Sequence, residues 1–261
     1  MDLQAVLCYD IAIEERRMAV KEKKWRLGRA VSLFVFVTLV LSVVYVTIRI
    51  IMAPATVSEG LGPHERSKSD YLLMLVQCIL GIVAMYLPSM ITHRLNLEIP
   101  SGMLMLYVIF LYGAIYLGEV QNFYYVIPSW DIILHCFSGA MLGALGFSFV
   151  TLLNKSERVP MNLSPIFVAV FAFCFALALG VFWEIYEFSF DGLLGLNMQK
   201  FALEDGTLLA GRAALSDTME DLMVDAAGAL AISVIGYISL KYKKGWVEKL
   251  LIKIRRTSKQ K

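Results

Sequence analysis

The chain has 261 residues, of which 58% are hydrophobic, and its mean hydropathy is +0.66. These values exclude an ordinary soluble globule, because the apolar residues come in long blocks rather than in amphipathic stripes. The formal net charge is only +2, and the basic residues flank the apolar blocks, so nucleic acid is not an expected partner.

Six apolar blocks are long enough to cross a bilayer as helices, which takes roughly 20 residues for about 30 Å of hydrocarbon. The sequence therefore predicts an all-α, polytopic membrane protein with six transmembrane helices and with membrane lipids as neighbours. We expect these helices at about 30–52, 71–91, 103–120, 130–153, 164–190 and 217–240.

Basic residues concentrate before the first block and after the last. The positive-inside rule assigns such flanks to the cytoplasm, which predicts that both termini are cytoplasmic and agrees with an even number of helices. The expected organisation is a basic, amphipathic segment at 1–28, a six-helix domain at 29–240 and a basic tail at 241–261. Both flanks are interpreted as solvated, and the alternative for the N-terminal segment is a helix that lies on the anionic inner leaflet. The two longer loops, 53–70 and 191–216, then lie outside, the second as a lid or re-entrant piece.

Acidic residues and one histidine stand near the outer ends of the third to sixth blocks. Several are spaced to share a helix face, three or four residues apart. An ionised side chain in the membrane is costly, so these faces are expected to point inward and to meet. The residues are Glu119, Asp131, His135, Glu184, Glu187, Asp217, Asp221 and Asp225.

So many carboxylates need counter-charges, and Arg212 in loop 191–216 is the nearest basic candidate. A divalent cation would satisfy several at once, and oxygen-rich ligation with one imidazole suits Mg²⁺, Mn²⁺ or Zn²⁺. We expect His135 and Glu187 to be catalytic: His135 would act as an acid/base or as a metal ligand, and Glu187 would polarise water. The expected metal ligands are Asp131, Glu184, Asp221 and Asp225, and Glu119 and Asp217 are further members of the polar site.

Structural roles explain some of these residues equally well. Ser216, Asp217 and Glu220 fit a helix-capping pattern, and Glu119 and Asp131 could be hydrated at the interface. Small residues at Gly139 and Gly143 would permit close helix packing beside the charges.

The segments "GAIYLGEV", "WDIILHCFSGAMLGAL", "FWEIYEF" and "DTMEDLMVDAAGAL" resemble the YjdF-type bacterial inner-membrane proteins, a family of unassigned function. The resemblance covers about residues 103–235, and a fainter similarity links the chain to the VanZ-like proteins. It implies a multi-pass protein of the bacterial plasma (inner) membrane and supplies no reaction.

Three functions remain open. The first is a metal-dependent enzyme that acts on a lipid or lipid-linked envelope substrate at the outer leaflet. The second is a cation- or proton-coupled transporter that uses the same carboxylates. The third is a structural membrane protein without catalytic activity. The sequence does not predict an oligomeric state.

Overall fold

The computed structural model describes residues 3–52, 68–154, 163–203, 207–247 and 251–254. In this part of the chain six segments are long and apolar enough to cross a membrane: Trp25–Met52, Asp70–Leu95, Ser101–Val120, Trp130–Asn154, Pro165–Leu194 and Ala213–Lys241. They coincide with the six predicted segments, so the all-α, polytopic membrane fold is confirmed. Most of the predicted loop at 53–70 and the end of the basic tail lie outside the described residues.

Helices make up almost all of the described structure. In chain order the elements are α1 (Leu3–Met52), α2 (Lys68–Leu95), β1 (Leu97–Glu98), α3 (Ser101–Leu111) with a π-helical continuation (Tyr112–Val120), α4 (Phe123–Val126), α5 (Trp130–Asn154), α6 (Pro165–Leu194), a 3₁₀ turn (Ala213–Leu215), α7 (Ser216–Lys241) and β2 (Lys253–Ile254). Helix α1 runs without a break through residues 28 and 29. The division of the chain at that point therefore stays a prediction based on composition.

The ends of α6 follow from local sequence. Ser164 accepts a hydrogen bond at Oγ from the backbone N–H of Phe167, and Pro165 occupies the first turn, where its missing N–H costs nothing. Gly195 ends the helix in the left-handed region at φ +66°. The helix is therefore longer than the predicted 164–190, and Asp191 belongs to α6 rather than to the loop.

Helices α5, α6 and α7 pack against one another as a three-helix unit, and α1 packs on α2 and α3. Glycines bring α5 and α7 together. A Cβ on Gly139 would overlap the backbone of Asp225, and a Cβ on Gly228 would overlap the carbonyl oxygen of Cys136. Small residues of this kind permit close backbone approach in a membrane, where burial of apolar surface gives little drive for association.

Residues 251–254 pack against the end of this bundle that is remote from Asp131. Strand β2 pairs antiparallel with β1, with Leu97 opposite Ile254. Leu251 is buried in a cluster that includes Phe147 and Ala172, and the backbone N–H of Ile252 donates to Ser148 Oγ at 3.2 Å. The interpretation of the whole tail as a solvated flank is therefore wrong for residues 251–254.

Candidate functional site

The start of α5, the end of α6 and the start of α7 meet at one end of the three-helix unit. These three helix ends carry seven of the eight predicted site residues. His135, Glu184, Glu187, Asp221 and Asp225 are all at least 90% buried. Side chains predicted from separate sequence segments are thus brought together in one polar cluster, which we call the acidic centre (Asp131, His135, Glu184, Glu187, Asp217, Asp221 and Asp225).

The imidazole of His135 has carboxylates on both sides. Its Nε2 atom lies 3.7 Å from Asp131 Oδ1 and 3.8 Å from Asp221 Oδ2. Its Nδ1 atom lies 3.4 Å from Asp225 Oδ2, while Asp225 Oδ1 accepts a hydrogen bond of 3.1 Å from Ser138 Oγ. Asp225 therefore holds the ring from behind, and Nε2 faces the other two carboxylates.

Asp131, His135 and Asp221 form a set that could hold a metal ion. One ligand atom from each lies within 4.8 Å of the other two. Ligands that are each about 2.1 Å from one ion lie at most about 4.2 Å apart, so small side-chain movements would complete such a site. A histidine whose second ring nitrogen contacts a carboxylate is the usual arrangement around a protein-bound metal, which fixes the tautomer and the ring orientation.

Lys200 is the basic partner of the acidic centre. From the loop after α6 its Nζ atom donates to Asp131 Oδ2 and, at 2.8 Å, to Asp217 Oδ1. Burial lowers the pKa of Lys200, but the two carboxylates raise it by more, so its pKa lies above the usual range and the ammonium stays charged. Arg212, which we expected as the partner, is exposed, and that expectation is wrong.

Asp217 has a different role from helix capping. Leu215 is the N-cap residue of α7 and makes no side-chain cap bond, and Ser216 Oγ donates to Glu220 at 3.2 Å instead of capping the helix. The Asp217 side chain, just after the 3₁₀ turn that precedes α7, instead accepts a hydrogen bond from Lys200 Nζ.

On α6 the acidic face is longer than predicted, with Glu184, Glu187 and Asp191 at spacings of three and four. Trp183 Nε1 donates to Glu187 Oε1 at 2.8 Å. Asp191 accepts from the backbone N–H groups of Met198 at 2.8 Å and Gln199 at 3.0 Å. It thereby folds the following loop back onto the helix, which is what allows Lys200 to reach the centre.

Gln199 links this loop to α6 and α7. Its Nε2 atom donates to Glu184 Oε2 at 3.3 Å and to Thr218 Oγ1 at 2.9 Å. The other carboxylate oxygen of Glu184 is buried and has no hydrogen-bond partner among the described residues. Glu184 is therefore part of the wall between the loop and the helices rather than a member of the group around His135 Nε2.

Glu119 stands apart from the centre, on the π-helical end of the third span. Gln77 of α2 donates to its Oε1 at 2.9 Å. The wide π-helical turns bring Gly118 against the ring of Tyr124, and π-helical segments often mark functional sites. Burial, with added effects from Glu119 and Asp131, raises the pKa of Tyr124 well above its usual value, so its hydroxyl is a hydrogen-bond donor at neutral pH.

Residues 44–242 match the family described as "Predicted membrane protein (DUF2238)". The chain belongs to this family. An uncharacterized protein of Thermotoga maritima is 32% identical over 161 residues, which cover 60% of this chain and 72% of that protein. No solved structure matches. The DUF2238 match includes every residue of the acidic centre and supports a multi-pass membrane protein without assigning a reaction.

Sequence reasoning missed the residues that the loop contributes. Lys200 and Gln199 carry no local signal, because only the fold of the loop brings them to the centre. Asp191 had a signal, since it continues the spacing of Glu184 and Glu187 by four residues. Ser138 had a weaker one, at three residues from His135 on the same helix.

Proposed function

We propose that this DUF2238 protein binds a divalent cation through Asp131, His135 and Asp221 and uses it to act on a lipid or lipid-linked substrate. The observation that carries the proposal is the grouping of these three ligand atoms within 4.8 Å, with Asp225 behind the histidine. Mg²⁺, Mn²⁺ and Zn²⁺ all remain compatible with two carboxylates and one imidazole.

The excess of buried acid supports a bound cation. The acidic centre has six carboxyl groups, and among the described residues Lys200 and His135 are the groups that can carry positive charge beside them. Carboxylates this close cannot all be ionised without further counter-charge. A divalent ion next to His135 Nε2 would supply it where Asp131 and Asp221 converge.

A bound ion would supply Lewis-acid polarisation of a substrate oxygen or of water. Around it, His135 would act as a ligand through Nε2, and Asp225 would hold its Nδ1–H. Glu187, hydrogen-bonded by Trp183, is the residue we assign as the base that accepts a proton from water. Besides Trp183, the neutral hydroxyl of Tyr124 is a hydrogen-bond donor near the carboxylates of Asp131 and Glu187.

Metal analysis of purified protein tests this proposal. Wild-type protein should carry about one divalent ion per chain, and Asp221→Asn and Asp131→Asn should lose it. Glu220→Gln is the matched control, because Glu220 is an exposed carboxylate next to Asp221 and should leave the metal content unchanged. Folded wild-type protein without metal, after purification in the presence of Mg²⁺, Mn²⁺ and Zn²⁺ in turn, would contradict it.

A proton- or cation-coupled transporter is the second candidate, and the same excess of buried carboxylates favours it. The two functions differ in what reconstituted protein does. A transporter would produce ion flux across a vesicle membrane that Asp221→Asn abolishes, whereas an enzyme would produce none.

Membrane placement completes the proposal. We infer that both termini are cytoplasmic in the plasma (inner) membrane of a bacterium, so that the acidic centre opens outward, and that the chain is of the YjdF type with fainter VanZ-like similarity. A reporter inserted at residue 205 should then be extracytoplasmic. A cytoplasmic signal there would reverse the orientation of the centre.

A further inference from the structure

A cavity of about 560 Å³ lies between the last turns of α6, the loop that follows and the start of α7. Its size falls within the range of roughly 300–1,000 Å³ that is usual for small-molecule sites. Most of its lining is apolar, including Val181, Ile185, Phe188, Phe201 and Leu215. This cavity is separate from the group formed by His135 Nε2 and the carboxylates of Asp131 and Asp221, and it has no part in the proposed metal site.

The cavity opens sideways along α6. Val181, Ile185 and Phe188 follow one another at spacings of four and three, so they share a helix face. They are 44%, 52% and 70% exposed, and they belong to the membrane-crossing segment Pro165–Leu194. Exposed apolar side chains on such a segment face acyl chains, so a ligand with an apolar tail could enter from the bilayer without crossing water.

Among the described residues that line the cavity, one buried side-chain polar atom has no hydrogen-bond partner, and it belongs to Glu184. Among the described residues Gln199 donates to Oε2, while the buried Oε1 receives no hydrogen bond. The side chain is only 5% exposed. A buried carboxylate oxygen without a donor is costly, and a ligand group that donates an O–H or N–H bond would satisfy it.

The cavity and the acidic centre share a wall made of two pairs of consecutive residues. Gln199 and Thr218 line the cavity and are hydrogen-bonded to each other at 2.9 Å. Their neighbours Lys200 and Asp217 lie on the side of the centre and are paired at 2.8 Å. Glu184 itself belongs to the acidic centre and is hydrogen-bonded to Gln199, so a polar group bound to Glu184 would lie beside residues that adjoin Lys200 and Asp217 in sequence.

We propose that this cavity is the binding site for a lipid with an apolar chain and a small head that donates an O–H or N–H hydrogen bond to Glu184. The inference rests on the proposed function, because it names the class of substrate that the acidic centre would act on. The apolar chain of the lipid lies along Val181, Ile185 and Phe188, and its head group lies at the wall that the cavity shares with the acidic centre.

Photo-crosslinking in detergent-solubilised full-length protein tests the site with three probes of equal chain length, each with a diazirine in the chain. The first is a monoacylglycerol with two free hydroxyls, the second is its dimethyl ether, which has no donor, and the third is a long-chain primary amine. At least one donor probe should label cavity residues about tenfold more than the ether, as expected when a buried acceptor that otherwise lacks a hydrogen bond gains one. The stronger of the two shows whether the head is a hydroxyl or an ammonium.

Two neighbouring tryptophan variants provide the matched control. Val181→Trp fills the cavity and should abolish donor-dependent labelling, while Phe182→Trp places the same ring on a residue outside the lining and should not. Glu184→Leu should make the donor probes and the ether label equally. Equal labelling by all three probes in wild-type protein, or full labelling of Val181→Trp, would overturn the inference.

Metal content measured on the same preparations separates this inference from the proposed function. Metal-free protein that still shows donor-dependent labelling would leave the lipid site standing and remove the metal centre. Metal-loaded protein without such labelling would do the reverse.

Discussion

The Nδ1 atom of His135 lies 3.4 Å from Oδ2 of Asp225, and this contact joins α5 to α7 within the acidic centre. It leaves Nε2 of the same ring directed at Asp131 and Asp221. The two ring nitrogens therefore have different surroundings: Nδ1 contacts Asp225, and Nε2 faces Asp131 and Asp221, where the proposed cation would bind.

Replacing Asp225 by Asn should weaken metal binding without abolishing it. The amide keeps the shape of the carboxylate but loses its charge, and changes of this kind behind a metal-bound histidine typically cost about 10- to 100-fold in affinity. Competition with a chelating dye measures the dissociation constant. A loss as complete as that of Asp221→Asn would show instead that Asp225 binds the ion directly.

Replacing Lys200 by Met should lower the melting temperature of metal-free protein, because Asp131 and Asp217 lose their counter-charge. A buried ion pair that loses one partner costs about 3–5 kcal/mol, and we expect about 1–3 kcal/mol here since the Lys200 side chain is 33% exposed. Added metal should restore most of the loss, because Asp131 is then free to bind it. Arg212→Met, in the same loop, is the control and should change little.

The contribution of Lys200 also has a defined pH dependence. Its pKa is raised above the unfolded value of roughly 10.4, so its stabilising effect is fully present below that pH and is lost as the pH rises through the folded-state pKa. Melting temperatures measured at increasing alkaline pH should fall in wild-type protein towards those of Lys200→Met, which lacks the ammonium group at every pH. If the melting temperature of wild-type protein, but not that of Lys200→Met, already fell near neutral pH, the charged pair would be refuted.

Gly228→Ala should destabilise the protein and reduce metal binding together. The added Cβ would overlap the Cys136 carbonyl oxygen and push α7, with Asp221 and Asp225, away from His135 on α5. Gly102→Ala is the matched control, since nothing lies within 4 Å of the Cβ it adds near the start of α3. That change should be neutral or stabilising by up to about 1 kcal/mol. The two variants are compared by melting temperature and by metal content. If Gly228→Ala matched Gly102→Ala in both, close packing at Gly228 would be contradicted.

Asp191→Ala should release the loop after α6. Its carboxylate fixes the backbone N–H groups of Met198 and Gln199, and through them the position of Lys200. Trypsin, which cleaves after Lys, should then cut at Lys200 several-fold faster than in wild-type protein. Ser189→Ala, which removes a hydroxyl that donates only to the Ile185 carbonyl within α6 among the described contacts, should leave the cleavage rate unchanged.

The sequence was sufficient for the membrane fold, because six long apolar blocks have few alternatives in water or in lipid. It also indicated which helix ends carry charge, since each buried acidic residue in an apolar block is conspicuous. It could not assign partners. Lys200 contacts Asp131 from the loop whose backbone Asp191 holds against α6. Glu119, which also ends an apolar block, is hydrogen-bonded to Gln77 of α2 and does not join the acidic centre.

The sequence also could not show that Asp221 and Asp225 contact different ring nitrogens of His135. Asp221 and Asp225 are one helical turn apart on α7 and look equivalent by spacing. Gly139 of α5 packs against the backbone of Asp225, and this contact fixes the position of α7 along α5. Asp225 therefore lies beside Nδ1 of His135, and Asp221 lies beside Nε2.

Anomalous X-ray diffraction from crystals grown with Mn²⁺ or Zn²⁺ tests the metal centre most directly. We predict one strong peak at about 2.0–2.3 Å from His135 Nε2 and from carboxylate oxygens of Asp131 and Asp221. A crystal of folded protein with no peak among these three side chains, at saturating metal, would contradict the assignment.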